Sequence, residues 1–302
     1  MPINLAQIRQ ELLPGLRGVE GRYQQIPTQW DKVFDRGTSN MAIERTSEMR
    51  FLGLAQFKTE GGSIMFDNAA GDRYVYNQEH VELGLGYAIT RRAIEDNLYK
   101  DQFDPSNLGL MESFAQTKEI LGADVLNSGD TYDPNVGGDG VALFSTAHPI
   151  DGNTWANRPT VDVDLSEAAL ENAQIAIRYF PDQAGLRIMA RGKLLIVPPQ
   201  LKYVATRLLM TELRPGTANN DVNALKWGDD YSEGFQVMDF LTSPYAWFVK
   251  TTIKGLLYLE RRRFDTDMQV DFTTQNLLVA GTERYSFNYF NPRAAYGSFP
   301  SA

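Results

Sequence analysis

The sequence predicts an α+β fold, and three observations carry that expectation. Val81, Leu83, Leu85, Tyr87 and Ile89 alternate without a break, which marks a strand at the end of a long extended stretch. One apolar stripe running from Leu108 to Val125 marks a helix of unusual length. Beyond it, strand and helix patterns alternate before the chain returns to strands alone. The 302 residues are 43% hydrophobic and 22% charged, enough for one large core or two ordinary ones.

Taken in order, Met1 to Asn40 opens with a short helical pattern (Leu5, Ile8, Leu12) broken at Pro14 and Gly15. It continues as a polar stretch with single aromatics, among them Trp30 and Phe34, spaced as an arm that docks on another surface. Arg50 to Thr90 reads as extended. Within it "GGSIMFDNAAGDRYVY" (61–76) predicts a hairpin: Ser63–Asp67 as one arm, Asn68–Asp72 as the turn, Arg73–Tyr76 as the other arm. About ten residues per arm give a ribbon of roughly 30 Å, more than such a hairpin can cover with a core of its own.

The long helix is expected over about 105–127, with Asp104 as N-cap, Pro105 in the first turn and Asn127-Ser128-Gly129 at its end. Leu108, Met111, Phe114, Ala115, Leu121 and Val125 form its stripe. Gly129–Gly140 reads as a loop and a natural boundary. A helix follows over about 166–180, with Asp164 and Glu167 spaced as a capping box and Pro181 as its stop. "KLLIV" (193–197) is a strand, and a helix begins at Pro198-Pro199 with Leu201, Val204, Ala205 and Leu208 on one face. "YAWFV", "GLLYLE", "MQVDF" and "RYSFNY" return the chain to strands.

Chemistry is sparse. There is no cysteine, so disulfides, thiolate metal sites and a cysteine nucleophile are excluded. Only His80 and His148 could serve a triad, no G-x-S-x-G elbow is present, and a structural or solvent-facing role fits both better. "GLGYAI" at Gly84 lacks the third glycine of a dinucleotide loop and lies in a strand, where its glycines permit close backbone approach. "DTYDPNVGGDG" lacks the alternation and final glutamate of a calcium loop. Arg261, Arg262 and Arg263 sit among acids and suit salt bridges to neighbouring elements or subunits. A formal charge of −9 argues against gripping nucleic acid, and no apolar run approaches the ~20 residues of a membrane helix. No cofactor, metal or catalytic residue is expected. The alternative from chemistry alone is a two-domain soluble enzyme using carboxylates.

The order of elements resembles the tailed-phage major capsid protein of the Hong Kong 97 type. "GYAITRRAIEDNLY" (86–99), "LFSTAHP" (143–149) and "LLIVPPQLKYVATRLL" (194–209) are most similar to the Mu-like major head subunits. That resemblance implies an N-terminal arm over 1–40, an extended loop over 41–90, a peripheral domain over 91–149 and 243–302 with its spine helix, and an axial α/β domain over 150–242. It implies hexamers and pentamers tiling an icosahedral shell around double-stranded DNA, held without sequence-specific binding. Its partners would be further copies of the chain, a portal protein, a separate scaffolding protein and a decoration protein, in a virion assembled in the bacterial cytoplasm. No membrane and no covalent crosslink are expected. Trp30, Phe34, Ile64, Phe66, Tyr74, Tyr76 and Arg261 to Arg263 are the expected intersubunit contacts. The rival with the same fold is an encapsulin-type compartment that holds cargo enzymes.

Overall fold

A computed structural model describes residues 23, 25–67, 71–96, 99–213, 222–228 and 230–301. The helical pattern expected around Leu5, Ile8 and Leu12, and most of the turn expected at Asn68–Asp72, lie outside them.

A single helical turn, α1 (Trp30–Val33), leads into β1 (Asp35–Thr38). The ribbon is built from β2 (Ile43–Arg50) and β3 (Gly71–Glu79), with Ile43 opposite Glu79 and Arg50 opposite Gly71. The expected arm at Ser63–Asp67 is therefore not a strand. β3 takes its partner from much earlier in the chain, because Thr46, Glu48 and Arg50 alternate inward where Tyr74 and Tyr76 do. Residues 51–67 form an irregular excursion beyond the ribbon's far end.

His80 alone separates β3 from β4 (Val81–Ile89), and β4 leaves the ribbon to pair with β11 (Leu277–Tyr289). The peripheral sheet runs β1-β10-β11-β4, with β10 spanning Leu256–Val270; β1 pairs with β10 in parallel and the other pairs are antiparallel. "GLLYLE" and "MQVDF" thus belong to one fifteen-residue strand. Close approach is the role of Gly86, where a Cβ would sit 2.7 Å from the Val279 carbonyl oxygen.

Across this sheet lies the spine helix. A short α2 (Arg91–Glu95) precedes α3 (Tyr99–Asn127), which at 29 residues spans ~43 Å. It starts five residues before the expected N-cap, so Asp104 does not cap it and Pro105 lies inside it. Its buried side also differs from the apolar stripe. Leu110, Met111, Phe114, Lys118, Glu119, Ala123 and Leu126 are buried, while Leu108 is exposed. The two charged positions in that stripe find partners beneath the helix, and this shifts the buried face away from Leu108.

The second sheet, β12-β9-β7-β8, is the centre of the α/β module. β7 (Gly192–Val197) lies between β8 (Phe235–Val237) and β9 (Trp247–Thr251), and β12 (Ala295–Ser298) pairs with β9. α4 (Glu167–Arg178) and α5 (Lys202–Met210) pack on it through Leu170, Ala173, Ile177, Ala205 and Leu208. Ser166, not Asp164, caps α4, its hydroxyl accepting from the Ala169 amide at 3.2 Å. The last sixty residues, expected to return mainly to the periphery, divide between the two sheets: β10 and β11 lie in the peripheral one, and β9 and β12 supply half of the module's sheet. A small hairpin, β5 (His148–Ile150) with β6 (Asn153–Trp155), precedes α4, and α6 (Ala224–Trp227) precedes β8.

Candidate assembly surfaces

The arm ends on its own subunit. Trp30 is 3% exposed, packed against Tyr258 (ring centroids 4.3 Å) and Phe287 (5.2 Å), and Phe34 meets Phe287 at 5.0 Å. Glu119 of α3 fixes this turn: its carboxylate accepts from the Gln29 amide at 2.7 Å and the Trp30 amide at 3.2 Å. A carboxylate there replaces a side-chain cap at the start of α1 and meets its first free N–H groups. Burial raises the Glu119 pKa, and the two amides oppose that shift. Trp30 and Phe34 are therefore core residues, not contacts offered to a neighbour. The aromatic spacing signalled docking correctly but could not say on which chain.

The ribbon's near half is also committed. Tyr76 is 2% exposed and stands over Gly138, where a Cβ would fall 2.2 Å from its ring. The loop 129–147 is consequently not a free linker: the Asn77 amide donates to Val136 at 2.7 Å and the Gly138 amide to Val75 at 2.9 Å. Tyr74 is half-buried on the same face, with the Arg73 guanidinium 5.6 Å from its ring centre. Glu48 of β2 accepts from Arg293, a buried guanidinium that also donates to the Pro181 carbonyl and stacks 4.8 Å from Trp155. Arg50 reaches Asp151 at 3.1 Å. Tyr76 is thus withdrawn from the expected intersubunit contacts, because the ribbon's inward face is buried by the subunit itself.

The arginine run is engaged within the chain. Arg261 points to the Ser39 carbonyl (3.5 Å) and Asn40 (3.4 Å), Arg262 pairs with Glu82 (2.7 Å) and Arg263 with Glu260 (2.9 Å). Alternation along β10 splits the three, as a strand requires.

Both histidines are buried. His148 faces Asp139 at 2.6 Å and Asn157 at 3.1 Å, and stacks on Trp155 at 4.7 Å. Asn157 also donates to the carbonyls of Leu143, Pro292 and Ala295, tying the 143–157 segment to the chain's last strand. Neither histidine faces solvent. Among the described residues, no group of three His, Asp or Glu side chains could hold a metal ion, and no helix is long and apolar enough to cross a membrane.

What the subunit leaves uncovered is the excursion 51–67. Phe51, Leu54, Phe57, Ile64, Met65 and Phe66 are all exposed, Phe66 to 85%. Its internal ties are few: the Gly53 amide donates to Asp67 at 2.8 Å and a turn closes from Gly62 to Thr59 at 3.0 Å. Contiguous exposed apolar side chains of this size mark an interaction surface. Ile64 and Phe66 of the expected contacts lie here. Phe272 is also exposed, at the turn between β10 and β11, where Asp271 accepts from the Thr273 and Thr274 amides at 3.0 and 3.2 Å.

The sequence profile of a family described as phage capsid protein matches residues 80–298. Three solved structures are similar over almost the whole chain. A virus-like particle from Pyrococcus furiosus gives a TM-score of 0.53 at 10% identity, covering 95% of this chain and 99% of that one. Mycobacterium phage Che8 gives 0.53 at 10% identity, covering 90% of each chain. Mycobacterium phage Patience gives 0.53 at 8% identity, covering 99% of this chain and 91% of that one. No curated protein sequence matches the chain. At such identities the likeness is one of fold: the Hong Kong 97-type capsid fold.

Proposed function

The chain belongs to the phage capsid protein family, and from that premise we propose that it is the major head subunit of a tailed phage, closing on copies of itself through hexamers and pentamers into an icosahedral shell around packaged DNA. It is a structural protein and not an enzyme. The family supports self-association. The finer reading places the chain with the Mu-like head subunits, on the strength of the segments 86–99, 143–149 and 194–209. A portal protein, a separate scaffolding protein and a decoration protein complete the proposed partners, with assembly in the host cytoplasm.

The observation that carries this reading is the excursion 51–67, whose apolar side chains have no cover in the subunit. A heterologous contact, in which this segment meets a different surface of the next copy, gives closed rings and shells. Ile64 and Phe66 remain the proposed contacts, with Tyr74 at the ribbon's flank and Arg262 and Arg263 as exposed pairs that a neighbour could re-partner. The arm-loop-peripheral-axial division stands as a proposal, with β9 and β12 reassigned to the axial sheet.

The test is electron microscopy of the expressed chain, with and without the scaffold supplied. Closed particles are the expected outcome, and a stable monomer under every condition overturns the proposal. Particle contents separate the viral reading from a cargo compartment: DNA supports the former, an enclosed protein the latter. Replacing residues 53–66 by a short Gly-Ser linker sharpens the test, because that cut spares Tyr76 and the β2–β3 pairing. The shortened chain should stay folded and fail to build stable shells.

A further inference from the structure

His80 occupies an unusual place. It is the only residue between the ribbon and the peripheral sheet, it is buried, and both ring nitrogens are engaged. Nε2 lies 2.9 Å from the Ser39 hydroxyl and Nδ1 lies 2.9 Å from the Ser286 hydroxyl. The direction of this chain of bonds follows from its far end. Glu44 is 2.5 Å from the Ser39 hydroxyl, and an ionised carboxylate accepts only, so Ser39 donates to Glu44 and accepts from Nε2–H. Nδ1 then carries the lone pair and accepts from Ser286. One neutral tautomer satisfies every partner.

We propose that His80 is an acid-operated release at the base of the β2–β3 ribbon: the neutral imidazole ties Ser39, just ahead of β2, to Ser286 of β11, and protonation weakens that tie. A proton on Nδ1 reverses that bond: the buried Ser286 hydroxyl must accept from Nδ1–H, and its own hydrogen loses its acceptor. The new charge also faces other charges on every side. Arg284 comes from β11 and Arg261 from β10, both with a buried Nε that has no acceptor among the described residues. Glu44, on β2, is the one opposing carboxylate. On β4, Glu82 is already paired with Arg262. Gln78, on β3, is neutral and donates to the carbonyls of Leu257 and Ser286.

Burial is the first cause that holds the imidazole below its ordinary value of 6.5; Arg284 adds to it, Glu44 opposes it and Arg261 adds again. For a group whose bound-state value is depressed, the tie is at full strength above 6.5 and weakens as pH falls from there toward the bound-state value. Across that window the opening constant grows by up to about tenfold per pH unit. The switch acts at the root of the ribbon and leaves Tyr76 in the core, so acid should loosen residues 39–44 and 77–82 first.

The experiment uses the full chain as an unassembled subunit, so it does not depend on shell formation. Amide exchange at about pH 7.5 and about pH 5, corrected for the intrinsic rate, should rise on acidification in 39–44 and 77–82 and stay unchanged in β7 and β9. NMR of the wild-type chain should place the midpoint of this loosening on the titration of His80, one of only two histidines. His80→Gln should remove the pH dependence. Glu44→Gln, which deletes the opposing carboxylate, should move the midpoint to lower pH. Equal exchange at both pH values, or a midpoint that follows His148 instead, overturns the proposal. If His80→Gln does not fold, coincidence of the two wild-type midpoints decides.

Discussion

Lys118 donates to Glu283 at 2.8 Å, beneath the rings of Tyr23, Tyr258 and Tyr285, so the spine helix and β11 are joined by an ion pair shut away from water. Tyr23 donates to the same carboxylate oxygen at 3.0 Å, while the other oxygen is buried without a partner. Burial raises the Glu283 pKa, and Lys118 pulls it back.

Lys118→Met leaves Glu283 buried with no cation and should destabilise the subunit by about 3–5 kcal/mol at neutral pH. An acid whose folded-state value is raised binds its proton more tightly when folded. Its effect on stability therefore grows more adverse as pH rises above the ordinary 4.5 and fades toward acid. Urea unfolding midpoints should show the deficit of the variant shrinking as pH approaches 4.5. A deficit that is equal at both ends would place the loss in packing instead of charge.

Tyr76 carries its hydroxyl into the core with no hydrogen-bond partner among the described residues. A buried unsatisfied hydroxyl costs about 1–3 kcal/mol. Tyr76→Phe keeps the ring over Gly138 and against Tyr289, so it should be neutral or raise stability by about 1 kcal/mol, read as a higher melting temperature. Gly138→Ala should do the reverse. Its φ of +85° and the 2.2 Å approach to Tyr76 leave no room for a methyl group.

Phe57 and Phe66 touch little of their own subunit. The double change Phe57→Ser with Phe66→Ser should leave unfolding within about 0.5 kcal/mol of the parent. Sedimentation of the assembly reaction should nevertheless show subunits where the parent forms particles. Loss of stability as large as that of a core substitution would return these side chains to the subunit's interior.

Pro105 lies inside α3, where it has no amide to donate to residue 101. Pro105→Ala should restore that bond and stabilise the helix by about 1–3 kcal/mol. Circular dichroism melting is the measurement, and a fall in stability would show that the proline is needed where it stands.

Strand alternation and helix stripes were legible because they depend on local periodicity. β4, β7, β9, α4 and α5 lie close to where those patterns put them, and the resemblance supplied the fold. What was hidden depends on residues distant in sequence. Ser63–Asp67 looks like a strand, yet the partner of β3 is Ile43–Arg50, and nothing local announces a twenty-residue gap between paired strands. Trp30 and Phe34 look like a docking arm, yet the carboxylate that fixes them is Glu119, ninety positions away. Lys118, Glu283 and Arg293 read as surface residues by type; only the fold brings each to the partner that lets it be buried. Of the expected contact residues, Ile64 and Phe66 alone are free apolar side chains, and the larger excursion around them lies within a stretch, Arg50 to Thr90, that reads in sequence only as extended.

The parallel pairing of β1 with β10 sets Asp35 beside Leu257. A strand near the start of the chain thus waits for one made more than two hundred residues later. Closing so long a loop is slow, and little rewards it until the last strands arrive. The peripheral sheet, and the burial of Trp30 beneath it, can be completed only after Tyr289 has left the ribosome. A nascent subunit accordingly has no finished body on which to mount its exposed excursion until the chain is nearly complete.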